Sequence, residues 1–300
     1  MEATLTSRSR KTRASILPYC FIALPMIYLA MFMYWPLIKE MYMSLTSAML
    51  TNPSGGKFIG LGNYELLLDD PNFFLTVRVT IVYSLLAVIF SVTLGVIAAL
   101  AINRPFPGRA IVRAIMLFGW AVPSVAAALI WLWMYNERSG VFNAIAQLIG
   151  FEPQSWLTDP QLAMASIVLV TVWQAVPFVM LVVLAALQSV PEEVREAARI
   201  DGADSLNVFR NVTWPHIRPA VQLVALLITV WSIRRYDLIY LLTGGGPLHS
   251  TGTLVIELKQ IAFRDYDLGM ASAYGVVGLI LAMLVAAFHQ YVERRQAARS

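Results

Sequence analysis

Five stretches of this chain run without a single charged residue, each long enough to cross a lipid bilayer. They lie between Arg13 and Lys39, Arg78 and Arg104, Arg113 and Glu137, Asp159 and Glu192, and Asp267 and Glu293, and each holds 23 to 32 residues. A helix needs about 20 apolar residues to cross the hydrocarbon core. A sixth apolar stretch, about 219–243, is interrupted by Arg234, Arg235 and Asp237. The 13% of charged residues is about half the share usual in soluble domains. A soluble protein with one long core helix does not explain five such runs. The pattern predicts an all-α integral membrane protein with spans at roughly 14–38, 79–103, 112–136, 162–188, 219–243 and 268–291.

Charge placement sets the expected orientation, because cytoplasmic segments carry excess Lys and Arg. With the N-terminus inside, the inner segments hold fourteen, including Arg8, Arg10, Lys11, Arg13, Arg104, Arg109, Arg113, Arg195, Arg199, Arg210 and Arg218. The outer segments hold six: Lys39, Lys57, Arg78, Arg138, Lys259 and Arg264. Both termini are therefore expected in the cytoplasm, with a tail at 1–13, a six-span body at 14–291 and a second tail at 292–300. The first apolar run is span-length and lacks a clear A-x-A site, so it reads as an uncleaved anchor. The net charge of +4 is explained by this topology and gives no reason to expect nucleic acid as a partner.

Catalytic and metal chemistry find little support. The single Cys20 makes a Cys-ligated metal site unexpected, and His216, His249 and His289 have no ligand spacing. No G-x-x-x-x-G-K-[ST] phosphate loop occurs. Pro18, Pro25, Pro123 and Pro177 fall inside spans, where they kink helices either for an opening pathway or for packing alone.

The most informative inner segment is 192–218, in which ten of 27 residues are charged or His. Val194–Ile200 favours a helix, Gly202 permits a turn, and Asp204 or Ser205 caps a second helix to about Thr213. Pro215 and Pro219 are expected to break the chain before the fifth span. Glu196-Ala197-Ala198, then Gly202 and Pro215, resembles the EAA motif of permease subunits of bacterial ATP-binding cassette importers. Val212 and Trp214-Pro215 stand where that pattern has Ile and Leu-Pro. Phe58-Ile59-Gly60-Leu61-Gly62-Asn63-Tyr64, Ser189-Val190-Pro191 and Tyr236 to Pro247 add to the resemblance, which covers about 16–292. It is closest to carbohydrate-importer permeases, on the side of the large permease of the maltose transporter.

That resemblance implies a type I importer permease of six spans. Glu196, Ala197, Ala198, Asp201 and Gly202 would form a coupling helix seated in a separate ATPase. The implied partners are a second homologous permease in a heterodimer, two ATPase copies, an extracytoplasmic sugar-binding protein and membrane lipid. ATP and magnesium would belong to the ATPase, with no cofactor in this chain. The solute would be a sugar or sugar derivative such as a disaccharide, glycoside or polyol. Alignment with the family's sugar contacts implies Gln174, Ala175, Phe178, Ile228, Trp231, Ser232 and Arg235.

Spacing independently puts Gln174 with Phe178, and Ile228 with Trp231 or Ser232 and Arg235, on single helix faces. Aromatic rings stack on sugar rings, while Gln and Arg donate to hydroxyls. Arg235 leaves open an anionic sugar or glycerol derivative. Arg234 and Arg235 also have a structural reading: pairing with Asp237 or a partner chain, or snorkelling to the interface. Trp120, Trp131, Trp133 and Tyr135 read as packing or interfacial aromatics. An ion-driven transporter would need buried carboxylates, of which only Asp237 qualifies. An intramembrane enzyme would need a nucleophile and base at depth.

Overall fold

The computed structural model describes Tyr19 and residues 21–297. The basic tail at 1–13, Pro18, Cys20 and Arg299 lie outside the described residues.

Helix α1 spans Phe21–Met43, α2 Gly62–Asp69 and α3 Pro71–Asn103. They are followed by α4 at Arg109–Ala121, α5 at Ser124–Met134, α6 at Val141–Leu148 and α7 at Ala163–Gln188. Helix α8 spans Glu192–Ile200, α9 Ser205–Ile233, α10 Asp237–Thr243, α11 Leu254–Phe263 and α12 Leu268–Ala297. Among the described residues, α1, α3, α7, α9 and α12 are each long and apolar enough to cross a membrane. The α4–α5 pair is together long and apolar enough for a sixth crossing, but it is bent, as a broken span or a re-entrant loop is. The all-α membrane fold expected from the charge-free runs is thus observed.

Helix α7 is the hub. Its apolar window is 67% buried, whereas that of α1 is 0% buried. Helix α3 lies closest against α7 at Gly95, where an added Cβ would sit 2.5 Å from the Val179 Cβ. The absent side chain lets the two backbones approach, the usual device where lipid offers no hydrophobic drive between helices. The adjoining core contains Ala175, Val179, Met180, Val183, Val224 and Ile228. A second core, around Tyr83, Trp131, Tyr135, Ile167, Leu238 and Ile239, packs α10 against α5 and α7. Tyr83 and Thr171 share a buried 2.7 Å hydrogen bond across α3 and α7.

Three expectations need correction. The third span is not one helix: α4 and α5 meet at 99°. Pro123 disfavours helical backbone at the residue before it, and Val122 is extended at φ −74°, ψ 125°. The fifth span does not run through 243, because helix stops at Ile233 and resumes at Asp237. A continuous helix would advance 100° per residue and point Arg234, Arg235 and Asp237 in three directions, sending charge into lipid. Breaking the helix frees Arg235 to turn inward. Finally, Pro215 and Pro219 do not end the helix before the span. A π-turn at Phe209–Thr213 leads directly into helix at Trp214, with Pro215 in its first turn and Pro219 inside it. The wider turn already replaces the bonding register that Pro215 would break.

The loop after α1 is fixed by the Gly62-Asn63-Tyr64 stretch. Asn63 Nδ2 donates to the carbonyls of Ser44 and Thr46 at 2.8 and 2.9 Å, and Tyr64 Oη donates to Ser44 Oγ at 2.8 Å. Helix α6 is anchored by buried Asn143. Its Nδ2 donates to the carbonyls of Glu137 and Gln154, and its Oδ1 accepts from Gln154 N and Trp156 Nε1.

Candidate translocation and coupling sites

The polar centre lies halfway along α7. Gln174 is 7% exposed, near the middle of Ala163–Gln188. Arg235, just past the end of α9, donates from Nη1 to Gln174 Oε1 at 2.8 Å. Gln174 Nε2 donates to the Val122 carbonyl at 3.3 Å. That carbonyl lies at the α4–α5 break, where the helix ladder leaves it unsatisfied. One amide thus bridges two interrupted elements.

Toward the α8 end of the bundle, one turn along from Gln174, Phe178 meets two tryptophans. Its ring centroid is 5.0 Å from Trp231 and 6.0 Å from Trp120, stacked at 23° on the latter. Trp120 and Trp231 are 52% and 36% exposed, so ring area stays open. Aromatic faces beside a polar pair suit a hydroxyl-rich solute. Trp120, read from sequence as a packing or interfacial aromatic, stacks on Phe178 from α4. Only the long-range fold shows that. Trp131 and Tyr135 do pack in the core, whereas Trp133 is exposed.

Of the seven residues expected to contact solute, the structure groups Gln174, Phe178, Trp231 and Arg235. Ala175 and Ile228 are instead core residues beside Val179 and Val224. Ser232 is 2% exposed, and its carbonyl accepts from Arg235 N at 3.1 Å. Among the described residues neither Arg234 nor Arg235 forms an ion pair, with Asp237 or any other acid. Arg234 is exposed and Arg235 half-buried.

At the opposite end of α9, α8 carries the Glu196-Ala197-Ala198 stretch on an exposed surface. Asp201 ends the helix and Gly202 turns the chain at φ +85°. A Cβ there would meet nothing within 4 Å, so backbone conformation alone calls for glycine. Asp204 caps α9, its Oδ1 accepting from Asn207 N at 2.7 Å. Arg195 points inward. Its Nη2 donates to the Leu187 carbonyl at 3.1 Å and its Nη1 to Glu192 Oε2 at 3.2 Å. Helix α8 is thereby pinned to the end of α7, while Val194, Ile200 and Leu206 stay 48%, 85% and 71% exposed. A rigid knob with uncovered apolar groups is suited to seating in another protein.

Residues 91–298 match the family model described as binding-protein-dependent transport system inner membrane component. The chain belongs to this family. A curated relative, the trehalose/maltose transport system permease protein of Thermococcus litoralis, is 34% identical over 288 residues, covering 96% of each chain. The sulfoquinovosyl glycerol transport system permease protein of Agrobacterium fabrum is 33% identical, covering 93% of this chain and 91% of its own. The sn-glycerol-3-phosphate transport system permease protein of the same organism is 30% identical, covering 93% and 96%. In fold, the permease matches a chain of a bacterial ABC transporter that imports alginate, at TM-score 0.84 and 20% identity over 96% of this chain and 99% of that one.

The permease is therefore a multi-pass inner-membrane subunit of a binding-protein-dependent ABC transport system, and not an enzyme. Among the described residues no group of His, Cys, Asp or Glu is arranged to hold a metal.

Proposed function

We propose that this permease forms half of the pathway of an ATP-driven importer. Its solute would pass the Trp120, Phe178 and Trp231 rings and the Gln174–Arg235 pair. The supporting observation is the grouping of these side chains at mid-height of α7, where the α4–α5 break and the α9–α10 break converge. Polar groups at that depth are costly and mark solute pathways.

In this reading the other half is a second, homologous permease. Two ATPase copies hold ATP and magnesium, and an extracytoplasmic sugar-binding protein delivers the solute. Both termini and the 192–218 loop lie in the cytoplasm. Glu196, Ala197, Ala198, Asp201 and Gly202 form the face that seats in the ATPase, and Arg195 transmits its movement to α7. Helix α1, none of whose apolar window is buried, is consistent with lateral contacts to lipid or the second permease. Vesicle uptake that requires ATP and the binding protein, and that stops with vanadate, is the expected result. Uptake that follows an ion gradient and ignores vanadate would overturn the reading.

One observation favours a finer version. Arg235 holds a half-buried charge against a neutral amide, with no carboxylate partner among the described residues. A charge partly withdrawn from water without a counter-charge is costly. A solute bearing a phosphate, sulfonate or carboxylate would supply the counter-charge. The relatives named for sulfoquinovosyl glycerol and glycerol phosphate make this version concrete, and the trehalose/maltose relative keeps a neutral sugar as its alternative.

A further inference from the structure

On the far side of the Gln174–Arg235 pair from α8, a separate cavity of about 520 Å³ opens between α10 and α11. It is lined by Tyr236, Tyr240, Lys259, Gln260, Phe263 and Arg264. None of these was among the residues expected to contact solute.

The sequence creates this cavity through the break in the fifth span. Ending α9 at Ile233 turns the chain, so Tyr236 and Tyr240, four residues apart, share a face at the start of α10. Their rings stack at 18° with centroids 5.1 Å apart, and Tyr240 remains 49% exposed. From α11, Lys259 Nζ lies 5.6 Å from the Tyr236 ring and 5.0 Å from the Phe263 ring. Lys259 and Arg264 form no ion pair among the described residues. Gln260 donates its Nε2 to the Gly244 carbonyl at 3.1 Å, which fixes the amide. Helix α11 is itself anchored, since Leu254 N donates to Thr80 Oγ1 at 2.9 Å.

The lining therefore combines two cations, an immobilised amide and aromatic rings, with no acidic side chain. Cations without carboxylates attract an anion, and ring faces beside them accept the C–H face of a sugar. Tyr236 is also the residue next to Arg235.

We propose that this cavity is a vestibule that takes the carboxylate, sulfonate or phosphate of an acidic sugar before it reaches Gln174 and Arg235. The proposal rests on the importer reading and narrows its solute to an anionic one. Lys259 and Arg264 hold the acidic group, while Tyr240 and Phe263 meet the ring. Exposed charges act over about 8–10 Å at physiological salt, so the site would select by charge ahead of the deeper pair.

The test uses the permease assembled with its partner permease and ATPases in lipid nanodiscs, without binding protein. Saturation-transfer NMR with glucuronate and glucose at equal concentration reads binding directly. Glucuronate is expected to give at least about five times the signal of glucose. Lys259→Gln with Arg264→Gln is expected to bring it down to the glucose level, and Lys259→Arg with Arg264→Lys to keep it. Arg235→Gln is expected to leave the vestibule signal in place. Equal signals for the two sugars, or an unchanged signal in the double Gln variant, would overturn the proposal. So would a signal that vanishes with Arg235→Gln alone, which would put the anion at the deeper pair. ATP-dependent uptake by the same assembly in sealed proteoliposomes, with the binding protein supplied, tests the importer reading by itself. Its failure with the vestibule signal intact would sink that reading and leave this site standing.

Discussion

Arg235 Nη1 and Gln174 Oε1 lie 2.8 Å apart, and that one hydrogen bond joins the end of α9 to the middle of α7. Because Gln174 also donates to Val122, the bond reaches the α4–α5 break as well. Replacing Gln174 by Leu removes the acceptor of the Arg235 guanidinium and the donor to Val122. A hydrogen bond to a charged group is worth about 1.5–3 kcal/mol, roughly a 10- to 150-fold change in an equilibrium. Gln174→Leu and Arg235→Ala are expected to cut uptake by at least about tenfold while the complex still assembles. Pull-down of the ATPase with each variant, run beside vesicle uptake, checks both halves. Unchanged uptake would make the pair structural.

The aromatic group makes a graded prediction. Phe178 touches both tryptophans, whereas each tryptophan touches Phe178 from one side. An aromatic pair contributes about 0.5–1.5 kcal/mol beyond its buried area. Trp231→Ala and Trp120→Ala should each raise the solute concentration for half-maximal uptake about 2- to 10-fold. Phe178→Ala, which loses both contacts, should raise it further. Equal values for wild type and Trp120→Ala would return Trp120 to packing.

A stability prediction follows from Asn143, whose side chain makes four hydrogen bonds to Glu137, Gln154 and Trp156 at 2.8–3.0 Å. Removing one partner of a buried hydrogen bond costs about 1–3 kcal/mol. Asn143→Ala strands the Trp156 indole N–H, the Gln154 N–H and two carbonyls, so the cost should fall at or above the top of that range. Lower thermal unfolding in detergent is the expected readout. An unshifted midpoint would mean water replaces the side chain.

The sequence readings fared differently for physical reasons. The spans were legible because hydrocarbon excludes charge over a fixed thickness, so charge-free length suffices. The turn at Gly202 and the cap at Asp204 were legible because both are local. Breaks inside apolar runs were harder. Pro123 is visible, but whether a proline kinks or sharply bends a span depends on what satisfies the freed carbonyl, and that is Gln174, 52 residues away. Likewise, Arg235 was read as lying on one helix face with Ile228 and Trp231 or Ser232, in a run that Arg234 and Asp237 also interrupt. Three charges at consecutive angles cannot share one interior, so the helix breaks and opens a cavity that periodicity does not reveal. Ala175 and Ile228, expected as solute contacts, lie in the apolar core beside Val179 and Val224.

The coupling face offers the sharpest test, because α8 is exposed and its substitutions should leave the membrane body intact. At Gly202 the backbone sits at φ +85° with open space around a Cβ, so any L-residue incurs about 1–2 kcal/mol of strain without a clash. Gly202→Ala isolates that strain. Gly202→Asp adds a carboxylate beside Asp201 on the surface proposed to enter the ATPase, and Asp tolerates this conformation better than most residues. If strain alone mattered, Ala would be at least as harmful as Asp. If docking matters, Asp should abolish uptake while Ala retains much of it. Glu196→Lys reverses an exposed charge on the same helix without touching the Arg195 bonds to Leu187 and Glu192, and should match Asp. All three variants should insert normally, with ATP hydrolysis no longer tied to solute entry in the Asp and Lys forms. Wild-type uptake in Gly202→Asp and Glu196→Lys would remove the coupling role from this loop.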